Sequence, residues 1–346
     1  MAKLNLIPRL QKVEQRFRNL FIPHALILMY HRVIELPNDP NLVAVSTKHF
    51  SEQMQVIKRR STPIRLQELV EALQAGCVPN RAIVVTFDDG YADNLYNAKP
   101  ILEQYEVPAT VYVTAGQLES RREFWWDELD RLLLQPGELP DRLRLFIRGS
   151  ALEWDLGWSA TYTEQDFRRN RGWHIECKKD PGPRQRLFRF LFDKLQTLPV
   201  LERQKILDDL AVWAEAGTTG RATHRTLTHD EVILLDHGDL IEVGAHTMTH
   251  PSLAALSLPA QRNEIQDSKA CLEAILRHPV TSFAFPNGSS NQQTIQTLGE
   301  LGFLCACSSN PDGIRKNADL FKLSRVVVRD WDGETFDRWL SWWMGE

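Results

Sequence analysis

Residues 82–90 read AIVVTFDDG. The apolar, β-branched run Ile83-Val84-Val85 predicts a buried strand, and it stops at two adjacent carboxylates followed by a glycine. Asp88 and Asp89 therefore fall on the loop that leaves the strand. Two acids side by side repel each other unless a cation or a shared proton relieves them. That invites a metal, with one carboxylate as ligand and the other as base. Asp-Asp-Gly is also ordinary turn chemistry, and this stretch alone does not choose between the two.

A second stretch supplies what a metal would need. Ile241–Pro251, IEVGAHTMTHP, is another strand-like run ending in His246, with His250 four residues later. An HxxxH pair brings two imidazoles to one face of a helical turn or a tight loop, although histidines at that spacing also occur as surface or capping residues. Joined to Asp89, the pair makes a two-histidine, one-carboxylate set that leaves positions open for water and substrate. Both sets follow short apolar strands, so both are expected at the same end of a sheet or barrel.

TFDDG, HTMTH and the segment LMYHRV at Leu28–Val33 together resemble the polysaccharide deacetylase family, carbohydrate esterase family 4. The resemblance covers Ala25–Thr114 and Ile241–Asp332. It implies a distorted (β/α)7-type barrel and hydrolysis of an N-acetyl group on a sugar. It also implies a divalent ion, zinc before cobalt or nickel, held by Asp89, His246 and His250, with Asp88 as general base. A backbone N–H of the loop after Gly90, where Tyr91 stands, is expected to face the oxyanion. Pro286 and Asn287 of FAFPNG are expected to shape the pocket for the acetyl group.

The chain departs from the family at two places. The late Leu-x-His motif that supplies the acid is absent, because no histidine follows His278. Barrel closure sets the first strand beside the last, which makes His31 the candidate acid. Asp330 either orients that imidazole or is a turn residue. The arginine that precedes the Pro-x-Gly turn in relatives is replaced by Ala284-Phe285, so Arg329 or another arginine has to carry its charge.

Away from the motifs, strands and helices alternate from Ala25 to Thr114 and again after Thr228, an expected N-cap, giving about seven strands. Residues 117–228 break the pattern and read as a large, mainly helical insertion. It has helices near Phe124–Leu134, Arg184–Leu198 and Val200–Ala216, no clear strand, and a long loop over Glu153–Pro183. Trp125 and Trp126 either pack this insertion onto the barrel or line a lid that touches sugar or a lipid carrier.

Composition sets the outer bounds. A chain of 346 residues with a formal charge of −4 can bury a sizeable core and gives no electrostatic reason to expect nucleic acid. Five cysteines without disulfide or zinc-knuckle spacing suit reduced thiols in a cytoplasmic setting. Residues 1–24 interleave apolar residues with Arg9, Lys12, Arg16 and Arg18, so they lack the apolar run of an export signal. They suit an amphipathic helix that closes the barrel floor or touches the inner face of a membrane. The expected substrate is an N-acetylated sugar of a saccharide or glycolipid precursor. A formyl or O-acyl sugar, or a non-catalytic carbohydrate binder, are the alternatives.

Overall fold

The computed structural model describes residues 25–346, so the amphipathic helix and membrane contact expected over residues 1–24 lie outside it. Seven strands build the barrel: β1 (Leu26–Tyr30), β2 (Ala82–Phe87), β3 (Ala109–Val113), β4 (Ile241–Ala245), β5 (Ser282–Ala284), β6 (Cys305–Cys307) and β7 (Val326–Val327). All pairings among them are parallel, in the spatial order β6-β5-β4-β3-β2-β1-β7. The edge strands β6 and β7 do not pair with each other. Segments between them bridge the gap, through Cys307 with Leu323 and the Arg325 N–H donating to the Asn310 carbonyl at 3.2 Å. The barrel is therefore distorted, as expected.

Both faces of these strands are covered, which is why they read as continuous apolar runs rather than alternating ones. Leu28, Tyr30, Val85 and Phe87 pack outward with Phe50 and Met54 of the helix Thr47–Arg60. Ile27, Val84, Tyr112, Cys305 and Cys307 form a second cluster with Leu66, Leu69 and Val70 of the helix Leu66–Gln74. Strand parity carries the second set upward, from Val84 through Thr86 to Asp88, so that Asp88 leaves β2 on the same side as the inner layer. Ser46 caps the helix Thr47–Arg60, and Thr228 caps His229–Asp236 in a reciprocal box with Glu231. After β2 the chain forms a π-helical turn, Asn94–Ala98, that runs into the helix Lys99–Tyr105.

The insertion has a core of its own. Helices Trp125–Leu133, Pro183–Leu195 and Val200–Trp213 bury Leu129, Leu133, Leu187, Leu191, Leu207 and Leu210 against one another. It also contains strands the expectation lacked. Arg142–Ile147 and Ser150–Asp155 form an antiparallel hairpin, Gly137–Glu138 pairs with Thr161–Tyr162, and Glu164–Asn170 is a helix. The hairpin follows from period-two alternation, with Leu143 and Leu145 buried and Arg142 and Arg144 exposed. Its turn is Arg148-Gly149, both in the left-handed region.

Candidate metal centre and active site

Asp89 and the two histidines converge where β2 and β4 end. Asp89 Oδ1 lies 3.4 Å from His250 Nε2 and 3.6 Å from His246 Nε2. All three side chains are buried, with their candidate donor atoms within 4.8 Å of one another. A tetrahedral cation with bonds of about 2.1 Å holds neighbouring ligands about 3.4 Å apart, so the spacing fits a shared ion. Two further observations agree. Asp89 Oδ1 is buried without a hydrogen-bond partner, an expensive state for a carboxylate oxygen unless a cation faces it. His246 Nδ1 lies 2.8 Å from the Ala284 carbonyl, which can only accept, so Nδ1 carries the proton and Nε2 presents its lone pair toward Asp89. Burial lowers the His246 pKa to about 4, which keeps the imidazole neutral at neutral pH.

The backbone around these ligands is strained. Asp89 has φ 76°, Gly90 80°, Thr247 65° and His250 54°. A Cβ at Gly90 would lie 3.1 Å from Val113 Cγ1, so both its conformation and its surroundings call for glycine. Left-handed φ at a β-branched threonine is rare and persists only where neighbours enforce it. Here Glu264, on the helix Leu258–Leu276, accepts from the backbone N–H groups of Met248 and Thr249, each at 2.9 Å, and from Thr249 Oγ1 at 2.6 Å. Arg203 of the insertion donates to the Thr249 carbonyl from another direction at 3.3 Å.

Asp88 is held apart from the triad by Arg325. The guanidinium donates to Asp88 Oδ1 at 2.6 Å and Oδ2 at 2.7 Å, to Thr86 Oγ1 at 3.2 Å and to the Ser308 carbonyl at 3.0 Å. Burial would push the Asp88 carboxyl up, but the Arg325 charge, helped by His246 and His31, brings it below the usual carboxylate range. Asp88 therefore stays ionised with both oxygens oriented. This is the arginine the sequence left unassigned. Arg329, the residue named in advance, instead donates to Glu176 and the Leu42 carbonyl.

The remaining expected site residues divide. His31 leaves β1 beside Asp88, whose N–H donates to the Tyr30 carbonyl at 3.0 Å. Asp330 does not orient it: Asp330 accepts from Ser46 N and Oγ and pairs with His49 Nδ1 at 2.7 Å, securing the start of the helix Thr47–Arg60. Pro286 is buried and Asn287 exposed, with φ 54°, in the turn that follows β5 and its Ala284 carbonyl. Trp125 and Trp126 are each 7% exposed and so offer no face to a sugar. Trp126 meets the His250 ring edge-to-face, centroids 4.8 Å apart, whereas Trp125 packs on Phe192 and under Arg203. Tyr91 is likewise fully buried: Trp126 Nε1 donates to its hydroxyl at 2.9 Å, and the hydroxyl donates to Asp127 Oδ2 at 2.6 Å. Its side chain is thus structural. Among the described residues no acceptor takes its backbone N–H.

Comparison with known proteins follows the same lines. The sequence profile of the polysaccharide deacetylase family matches residues 75–139 and 197–306, just over half of the chain. The putative polysaccharide deacetylase YxkH of Bacillus subtilis is 25% identical over 95 residues, which are 28% of this chain and 33% of the relative. The poly-beta-1,6-N-acetyl-D-glucosamine N-deacetylase of Staphylococcus aureus is 29% identical over 107 residues, 27% of this chain and 37% of the relative. The chain thus matches only about a third of the length of these relatives. Among solved structures, the Streptococcus pyogenes deacetylase PplD in complex with acetate superposes with a TM-score of 0.57 at 18% identity, covering 92% of this chain and 98% of that one. IcaB from Ammonifex degensii gives 0.58 at 16% identity, covering 94% and 98%. At these identities the likeness establishes the fold.

Proposed function

This chain belongs to the polysaccharide deacetylase family, and from that premise we propose that it is a metal-dependent hydrolase removing N-acetyl groups from the amino sugars of a saccharide. The observation that carries this is the pairing of a buried, convergent Asp89-His246-His250 set, with Asp89 Oδ1 lacking a hydrogen-bond partner, and a separate, arginine-clamped carboxylate at Asp88. A divalent ion bound by the three ligands would polarise the amide carbonyl and acidify a water, from a pKa of 15.7 to about 7 in zinc sites. Asp88, ionised and fixed by Arg325, accepts the proton of the attacking water. In this reading the Tyr91 backbone N–H donates to the oxyanion and His31, which follows β1, protonates the leaving amine.

The activity named for the staphylococcal relative supports a poly-N-acetylglucosamine type of substrate. Five unpaired cysteines support a cytoplasmic setting, and with it a saccharide or glycolipid precursor rather than an exported polymer. The alternative of a binding protein without turnover rests on the missing late histidine; in the reading proposed here His31 supplies that acid, and the Arg325–Asp88 pair supports a catalytic carboxylate. Acetate release from poly-N-acetylglucosamine, before and after chelation and re-addition of zinc, cobalt or nickel, is the test. Release that is lost in Asp88→Asn and restored by metal in the unsubstituted protein is expected. Release insensitive to both would remove the assignment.

A further inference from the structure

The two ligand histidines are held by different means. His246 Nδ1 is fixed by the Ala284 carbonyl, a group of the barrel, at 2.8 Å. His250 Nδ1 is buried, and among the described residues no protein group bonds to it. The χ2 torsion of a histidine is broad, so without a partner on its far nitrogen the ring needs another constraint to keep its lone pair aimed at a cation. Two rings of the insertion stand against it. Trp126 meets His250 at 62° with centroids 4.8 Å apart, and Phe124 meets it at 67° and 6.1 Å. Phe124 and Trp126 are stacked on each other, 6° from parallel at 4.5 Å, so they act as one rigid pair.

The pair is anchored in turn to the barrel. Trp126 Nε1 donates to the Tyr91 hydroxyl at 2.9 Å, and that hydroxyl donates to Asp127 Oδ2 at 2.6 Å. The Arg32 guanidinium covers the Tyr91 ring at 4.3 Å and is paired with Asp93 at 3.0 Å. All of these side chains are buried, so Trp126 cannot swing away from His250 without stranding its N–H in the interior. A second contact acts on the same ligand. Arg203, on the helix Val200–Trp213, donates to the carbonyl of the peptide that joins Thr249 to His250, and its guanidinium lies over the Trp125 ring at 5.4 Å. Resting on the metal-centre reading above, we propose that Trp126 is a positioning residue for the metal: with Phe124 it fixes the His250 ring so that Nε2 faces the cation site. The insertion is thereby part of the metal centre, gripping one ligand by its ring and by its backbone, rather than a cover laid over substrate.

Three variants of the full chain test this. Trp126→Leu keeps the position apolar and removes the ring, Trp126→Phe keeps a ring but not the N–H, and Tyr91→Phe deletes the single oxygen that anchors the indole. Zinc affinity is measured by competition with a chromophoric chelator, and the cobalt-loaded proteins are compared by visible absorption, which reads coordination geometry; thermal melts verify folding. Trp126→Leu is expected to bind zinc about tenfold more weakly or worse and to shift the cobalt bands. Trp126→Phe and Tyr91→Phe are each expected to lose about threefold, since an aromatic contact with His250 survives in both. Zinc affinity and cobalt bands unchanged in folded Trp126→Leu, or in Tyr91→Phe, overturn the positioning role and leave the metal centre standing. Equal losses in Trp126→Leu and Trp126→Phe overturn the ring contact as the cause. An unsubstituted protein that takes up no zinc overturns the metal reading and this proposal with it.

Discussion

Replacing Arg325 by methionine keeps length and removes the charge. In the native protein the guanidinium and the Asp88 carboxylate are 0% and 5% exposed and share two hydrogen bonds of 2.6 and 2.7 Å. Without the arginine a carboxylate remains in the interior uncompensated, and breaking such a pair from one side costs about 3–5 kcal/mol. That is a large share of the roughly 5–15 kcal/mol that holds a domain folded. The pH dependence has a definite sign. The native Asp88 pKa is depressed, so its contribution is present in full above the ordinary value of 3.8 and is lost as pH falls through the depressed native value. In Arg325→Met burial acts unopposed by the arginine, the carboxyl rises, and the penalty applies at neutral pH and fades in acid. Urea denaturation should show a midpoint lowered by about 1 M or more at neutral pH, a gap that narrows in acid, and an acid limb of kcat/KM moved upward. Arg325→Lys should recover only part of the loss, because an ammonium keeps the charge but not the fork. A methionine variant as stable as the parent at neutral pH would refute the clamp.

Other perturbations separate positioning from packing. Glu264→Ala should release the Thr247–His250 loop and weaken metal affinity about 10–100-fold in a chelator competition; unchanged affinity would show that the loop holds its shape unaided. Trp126→Ala should cost about 3–5 kcal/mol in denaturation, as a buried ring; a variant of full stability with only a raised KM would restore the sugar-stacking role denied to it here. Asp127, fully buried, has its pKa raised to about 7 by desolvation. The unfolded chain gives up that proton first, so stability should fall as pH climbs from about 4 to about 7. Asp127→Asn should flatten this slope in urea midpoints, and an equal slope in both proteins would contradict the shift.

The barrel and the metal set were legible because each is written locally: an apolar run for the strand, then the polar residues its end must carry. Asp88, Asp89, His246 and His250 all announce themselves this way. Even the placement of His31 beside the last strand follows from closure. Arg325 was hidden because its partner lies 237 residues away in sequence and its side chain crosses the barrel interior to reach it. The position where relatives carry that arginine is Phe285 here, a fully buried core ring. The partners of Asp330 lie at a helix start, Ser46 and His49, and nothing in the sequence near Asp330 names them. Trp125 and Trp126 fit an apolar helix face equally well as lid or as core, and only the buried position of the helix decides. The insertion hairpin, by contrast, is written in the alternation around Arg148-Gly149, a signal shorter than those of the flanking helices.

Anomalous diffraction from crystals equilibrated with zinc tests the central claim most directly. One strong peak is expected about 2.0–2.2 Å from Asp89 Oδ1, His246 Nε2 and His250 Nε2 together, with Asp88 still held by Arg325 and outside the coordination sphere. Zinc bound elsewhere, or Asp88 drawn in as a ligand in place of Asp89, would contradict the account.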